Sequence, residues 1–252
     1  MKRLLTAAIG IPLVILVVLF SSNTLLALVV AIAAARCFSE FIDLAAVRLN
    51  ARPGGWALLL GAVVTLSFSG GISSATMALA FSILIVSMLV MFATSGGEAF
   101  SKLAIATLGL VYCCFLLGFI LLVRREMILV LLGILWIGDA AAYYGGSYLG
   151  RHPLAPRISP KKTVEGAFAG LIGSIIAGVV GAWLAGENSA SLVTASIASA
   201  GAGQLGDLVE SAMKRSAGVK DSSELLPGHG GLLDRLDGLL FAAPVYYWFF
   251  MQ

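Results

Sequence analysis

The chain has 252 residues, of which 60% are hydrophobic and only 12% charged, with a formal net charge of +3. Soluble domains carry about 25% charged residues, so half of the usual solvating surface is missing and an ordinary water-soluble globular enzyme is excluded as the simplest reading. A spanning helix needs about 20 mostly apolar residues, and so small a net charge gives no reason to expect a nucleic-acid partner.

The first apolar run, 4–20, follows the basic start Lys2 and Arg3 in the manner of a signal peptide. No small-x-small cleavage site follows it, and its core of roughly 17 residues exceeds a normal signal core, so an uncleaved first span is expected. Further apolar runs fall at 24–46, 56–70, 74–94, 103–123, 127–149, 163–185, 190–212 and 231–250. The expected fold is therefore all-α, a polytopic integral membrane protein of about nine transmembrane helices. Its 29 glycines suit helices that pack closely in lipid. Cys37, Cys113 and Cys114 lie inside apolar runs at no metal-ligand spacing and read as buried free thiols. No internal repeat, linker or soluble domain is visible. Residues 1–126 read as N-terminal spans and 127–252 as C-terminal, catalytic spans with cytoplasmic loops, together one membrane domain.

Lys and Arg in the loops set the orientation. With the N-terminus in the cytoplasm, twelve of them fall in inside loops, and only Arg124 and Arg125 fall outside. The chain is thus expected to be N-in/C-out in the inner (cytoplasmic) membrane. That orientation brings Asp139, Asp207, Asp234 and Asp237 to similar depth near the cytoplasmic face, beside the two most basic loops, "GRHPLAPRISPKKTVEG" and "KRSAGVKDSSELLPGHGG".

Carboxylates inside a membrane are costly and usually functional. Asp234 and Asp237, three apart, share a helix face, and Asp207 can meet them from a neighbouring helix. Hard oxygen ligands of this kind suit Mg²⁺, which keeps several waters and takes one or two carboxylates plus substrate phosphates. The alternatives are ion pairs with Arg235, Lys214 or Arg215, or a helix N-terminal charge effect at Asp234. Lys161, Lys162, Lys214, Arg215 and Lys220 are the usual phosphate partners, though topology and attraction to anionic lipid heads also account for loop lysines. "PGHGG", with Gly230 and Gly231, offers small residues and N–H groups at a helix start, which favour anions; a plain helix-start loop has the same composition. His152 and His229 have no metal-ligand spacing, and no P-loop lysine motif is present.

The stretch Ser211 to Phe241, "SAMKRSAGVKDSSELLPGHGGLLDRLDGLLF", resembles the signature of the phosphatidate cytidylyltransferases, also called CDP-diacylglycerol synthases. Ser211, Met213, Lys214, Arg215, Lys220, Asp221, Ser223, Leu226, Pro227, His229, Gly230, Gly231, Asp234, Arg235 and Asp237 fit it without a gap. "GDAAAYYGGSYLGRHPLAPRISPKKTVEG" and "GQLGDLVESAMKR" look like the same family, so the resemblance covers about the last 110 residues. It implies a membrane enzyme, a homodimer, that joins CTP to phosphatidate drawn from bilayer lipid, giving CDP-diacylglycerol and pyrophosphate with Mg²⁺; whether a second cation such as K⁺ joins Mg²⁺ is not given by the sequence. It further implies Asp207, Asp234 and Asp237 as metal ligands. Lys214, Arg215, Lys220, Asp221, His229 and Arg235 become the expected catalytic set, and Asp139, Lys161, Lys162, Gly230 and Gly231 the expected substrate-binding set.

Two other readings compete. A CDP-alcohol phosphotransferase would carry a DG-x-x-AR segment followed by G-x-x-x-D-x-x-x-D, against which "DRLDG" is too compressed. A transporter also places acids within the membrane and commonly shows repeated halves with broken helices, which are not visible.

Overall fold

Each of the nine expected apolar runs is helical. The computed structural model describes residues 2–94, 97–186, 190–225 and 230–249. The helices are α1 (Lys2–Phe20), α2 (Asn23–Leu49), α3 (Trp56–Ser67), α4 (Ile72–Ala93), α5 (Ala99–Leu122), α6 (Arg125–Leu149), α7 (Val164–Leu184), α8 (Ala190–Ala217) and α9 (Leu233–Trp248). Between α6 and α7 lies a short antiparallel hairpin, β1 (Pro153–Ala155) and β2 (Ser159–Thr163), which the apolar pattern does not announce. Among the described residues, five helices, α2, α4, α5, α6 and α7, are long and apolar enough to cross a membrane. The apolar part of α1, Ala8–Phe20, and the segment Trp56–Gly70 are shorter. Large apolar side chains stand exposed along α4, among them Phe81, Leu84, Met88 and Phe92. Such a stripe is unfavourable in water and at home against lipid; this is a helical membrane protein.

The chain divides into two compact units. The first comprises Met1–Leu122 and Ser216–Leu236, the second Val123–Arg215 and Asp237–Gln252. In the first unit, small residues let helices close on large ones. The fully buried Phe38 of α2 fills the space left by Gly109 of α5, where an added Cβ would collide with its ring, and lies close to Gly61 of α3, where an added Cβ would strike Cys114 Sγ. Phe68, Phe115 and Phe119 form an aromatic cluster with centroids 5.2–5.3 Å apart, a favourable spacing for tilted and edge-on rings. Within α5 the stretch Leu110–Phe115 is π-helical. Beside it, Thr65 Oγ1 of α3 lies 3.1 Å from the Gly61 carbonyl of its own helix and 3.2 Å from the Cys114 carbonyl of the π-helical stretch. Cys37, Cys113 and Cys114 are buried free thiols.

In the second unit α6 and α7 pack through glycines. Gly138, Gly145 and Gly146 face Gly166, Gly170 and Gly173 and their neighbours so closely that side chains at these positions would overlap the opposite helix. Ser174 Oγ donates to the Ile134 carbonyl at 2.8 Å, and Gln204 Nε2 of α8 donates to the Ala167 carbonyl at 3.0 Å. Lipid tails supply no hydrophobic drive between helices, so close backbone approach and such hydrogen bonds hold them together.

Candidate functional site

Within the second unit the site is built on a second glycine contact. Gly203 and Gly206 of α8 meet the backbone of Asp237 and Gly238 of α9, where any Cβ at Gly206 would strike the Asp237 carbonyl. That approach fixes Asp207, one residue beyond Gly206, next to Asp237. Asp237 lies within electrostatic reach of Asp207, Lys214 and Asp139. Its Oδ1 accepts the N–H of Gly238 at 2.7 Å. Asp207 is paired with Lys162, and its Oδ1 accepts from Ser211 Oγ at 3.3 Å. Lys214, nearly buried, pairs with the fully buried Glu210 one turn earlier on α8. Asp139 is exposed on α6.

The hairpin delivers Lys162 to this cluster. Thr163 caps α7, its Oγ1 accepting from the Gly166 N–H at 3.1 Å. Glu165 accepts the N–H groups of Arg151 at 3.0 Å and His152 at 3.2 Å and contacts His152 Nδ1 at 2.5 Å. The base of the hairpin is thereby tied to the start of α7. Arg215 Nε donates to the Ile158 carbonyl near its tip at 3.4 Å. Lys161, the alternate residue on β2, points to the exposed side.

The first unit holds the other half of the signature in a different network. Asp234, 9% exposed, accepts three hydrogen bonds at one oxygen, Oδ2: from Ser222 N at 2.9 Å, Ser222 Oγ at 2.8 Å and Gly231 N at 2.7 Å. Gly230 is left-handed, with φ of 79°, the conformation that glycine adopts without strain. The N–H of Gly231, expected to face a substrate anion, is thus donated within the protein, because the turn folds it back onto Asp234. Lys220, Asp221 and Arg235 are exposed. His229 lies outside the described residues.

A residue passed over in the sequence completes this network. Glu40 of α2 is fully buried. It accepts from Leu232 N at 3.1 Å, Leu233 N at 2.8 Å, Ser222 Oγ at 2.8 Å and Ser223 Oγ at 2.8 Å, and pairs with Arg36 at 3.2 Å. The signal was an acid in the middle of an apolar run, "ARCFSEFIDL".

Among the described residues no group of three or more His, Cys, Asp or Glu side chains stands close enough together to hold a metal ion. Of the three aspartates expected as ligands, Asp207 and Asp237 come together in one unit, and Asp234 is engaged by the loop of the other. Two carboxylates with nearby lysine countercharges remain a donor set of the kind Mg²⁺ takes when substrate phosphates supply further oxygens.

Comparison with known proteins agrees with the signature. The model of a family described as the cytidylyltransferase family matches residues 1–252. The chain is similar to a phosphatidate cytidylyltransferase of Staphylococcus haemolyticus, 33% identical over 252 residues and 96% of each chain. It is 50% identical over 119 residues to a phosphatidate cytidylyltransferase of Synechocystis sp., covering 46% of this chain and 40% of that one. To the uncharacterized protein YnbB of Escherichia coli it is 44% identical over 124 residues, covering 49% and 42%. The chain thus spans less than half the length of the latter two relatives.

Proposed function

We propose that this chain, which belongs to the cytidylyltransferase family, transfers the cytidylyl group of CTP to phosphatidate, giving CDP-diacylglycerol and pyrophosphate. The observation that carries this reading is the cluster of Lys162, Asp207, Lys214 and Asp237, gathered where glycines bring α8 against α9.

The chemistry follows from charge. A phosphate monoester has its second pKa near about 6, so at neutral pH phosphatidate is mostly dianionic. Its oxygen is already a nucleophile and attacks the α-phosphorus of CTP; the bond to the bridging oxygen breaks and pyrophosphate leaves with that electron pair. No general base is required. The obstacle is repulsion: two like charges about 4 Å apart repel by roughly 4 kcal/mol at an effective dielectric of 20, and both reactants carry several. Lys162 and Lys214, with the exposed Lys161 and Arg215 beside them, supply countercharge and hold phosphates in line. Asp207 and Asp237 would hold Mg²⁺, which neutralises charge on the phosphates and on the leaving group. Asp234, Gly230 and Gly231 shape the start of α9, with Lys220, Asp221 and Arg235 near it in the chain, and His229 belongs to the same reading through the signature alone. A homodimer belongs to the same reading through the family resemblance, and a second cation such as K⁺ is compatible with it.

The reading also includes nine membrane crossings, N-in/C-out, in the inner membrane. The loop bias of Lys and Arg supports it, and so does the coincidence of the apolar runs with helices. CTP then arrives from the cytoplasm and phosphatidate from the bilayer at one membrane face. Membranes containing the chain, given CTP labelled in the cytidine, phosphatidate and Mg²⁺, should form a labelled lipid. Omitting phosphatidate should remove it, whereas label transferred without phosphatidate, or none transferred at all, defeats the proposal.

A further inference from the structure

We propose that Glu40, in the second helix of the N-terminal region, is a positioning residue for the transfer reaction, acting through the loop that opens α9. It rests on the function proposed above. Its carboxylate is fully buried and reaches across 182–193 residues of sequence to take two backbone N–H groups and two hydroxyls. The first N–H groups of a helix have no partner within the helix. Those of Leu232 and Leu233 find theirs in Glu40, and the negative charge also suits the positive end of the α9 dipole. Ser222 Oγ lies 2.8 Å from both Glu40 Oε2 and Asp234 Oδ2, so its single hydroxyl proton is shared between carboxylates from two helices. Gly231 leaves room for this: a Cβ there would collide with Ser222 Oγ and Glu40 Oε2. From the same helix Arg48 Nε donates to the Ser216 carbonyl at the end of α8. Thus α2 grips the segment 216–233 at both ends, and this segment carries Lys220 and Asp221 and leads directly into α9.

Charge-assisted hydrogen bonds of this kind are roughly twice as strong as neutral ones and directional. Losing them frees the loop without emptying the apolar core around Phe38. The test uses the purified full chain in detergent, comparing Glu40→Gln, Glu40→Ala and Glu40→Asp with Asp43→Ala. Asp43 lies on the same helix and its partner is the exposed Arg52. Cytidylyl transfer at saturating CTP and phosphatidate gives kcat, and hydrogen exchange of the Ser222, Leu232 and Leu233 amides gives the loop's order without any assay of activity. Glu40→Ala should lower kcat at least tenfold and speed exchange at those amides, with the α6–α7 amides unchanged. Glu40→Gln should fall between Glu40→Ala and the parent chain, and Asp43→Ala should match the parent. Exchange that stays slow in Glu40→Ala, kcat within twofold of the parent, or loss of protection throughout the chain in Glu40→Gln would each overturn the proposal. If the parent chain transfers no cytidylyl group, the function proposed above fails; the exchange data then still decide whether Glu40 orders the loop.

Discussion

At the scale of single residues, the aspartates expected to act together have different partners. Asp207 faces a lysine from a hairpin and lies beside Asp237, whereas Asp234 turns one oxygen to three donors of its own loop. Asp207→Asn keeps the shape and removes the charge that a metal or Lys162 needs. It should cut turnover by about a hundredfold or more with elution on gel filtration unchanged, and added Mg²⁺ should not restore it. Full activity in a folded Asp207→Asn chain would remove this carboxylate from the mechanism. Gly231→Ala should act by sterics, because the new methyl enters the space between Ser222 Oγ and Glu40 Oε2. Overpacking of this kind costs about 1–3 kcal/mol, seen as a lowered unfolding temperature together with lost transfer activity. Glu40 was the residue least legible in the sequence. Its partners are some 190 positions away, and nothing local marks an acid in an apolar run as a helix cap rather than a half-exposed boundary residue.

At the scale of elements, the helices were legible because lipid demands long apolar runs, and each expected run is a helix. Whether α8 and α9 cross is less readable from the sequence: α8 carries Ser, Gln204, Asp207 and Glu210 along its length, and α9 has 16 residues. The hairpin 153–163 escaped notice because strands of three and five residues leave too short an alternation to detect beside three prolines and three basic residues. The π-helical stretch of α5 has no sequence mark of its own. Glycine content suggested close packing, and the structure shows which glycines matter. A Cβ at Gly170 would sit 3.0 Å from Ala142 Cβ and 3.1 Å from the Gly138 carbonyl, whereas one at Gly133 meets nothing within 4 Å. Gly170→Leu should therefore force α6 from α7 and lower the unfolding temperature, with a cost of about 1–3 kcal/mol or more. Gly133→Leu, on the same pair of helices, should leave it unchanged; equal effects of the two would show that close backbone approach does not hold the pair together.

At the scale of the whole molecule, orientation is the property most open to a direct test. The hairpin carries Arg157, which is exposed, and the loop-charge bias assigns it to the cytoplasm. In a chain whose three buried cysteines are replaced, Arg157→Cys should react with a membrane-impermeant maleimide in inverted vesicles and not in intact cells. Labelling from the outer side alone would reverse the proposed topology.

The length of sequence between Glu40 and its donors also sets a schedule for biosynthesis. Leu233 is added 193 residues after Glu40; at about 5–20 residues per second that is an interval of roughly 10–40 s. Throughout it, the nascent second helix carries an acid whose final donors have not been made. Arg36, one turn earlier, is already there and 3.2 Å away in the finished protein. That neighbour gives the newborn helix a companion charge throughout the interval.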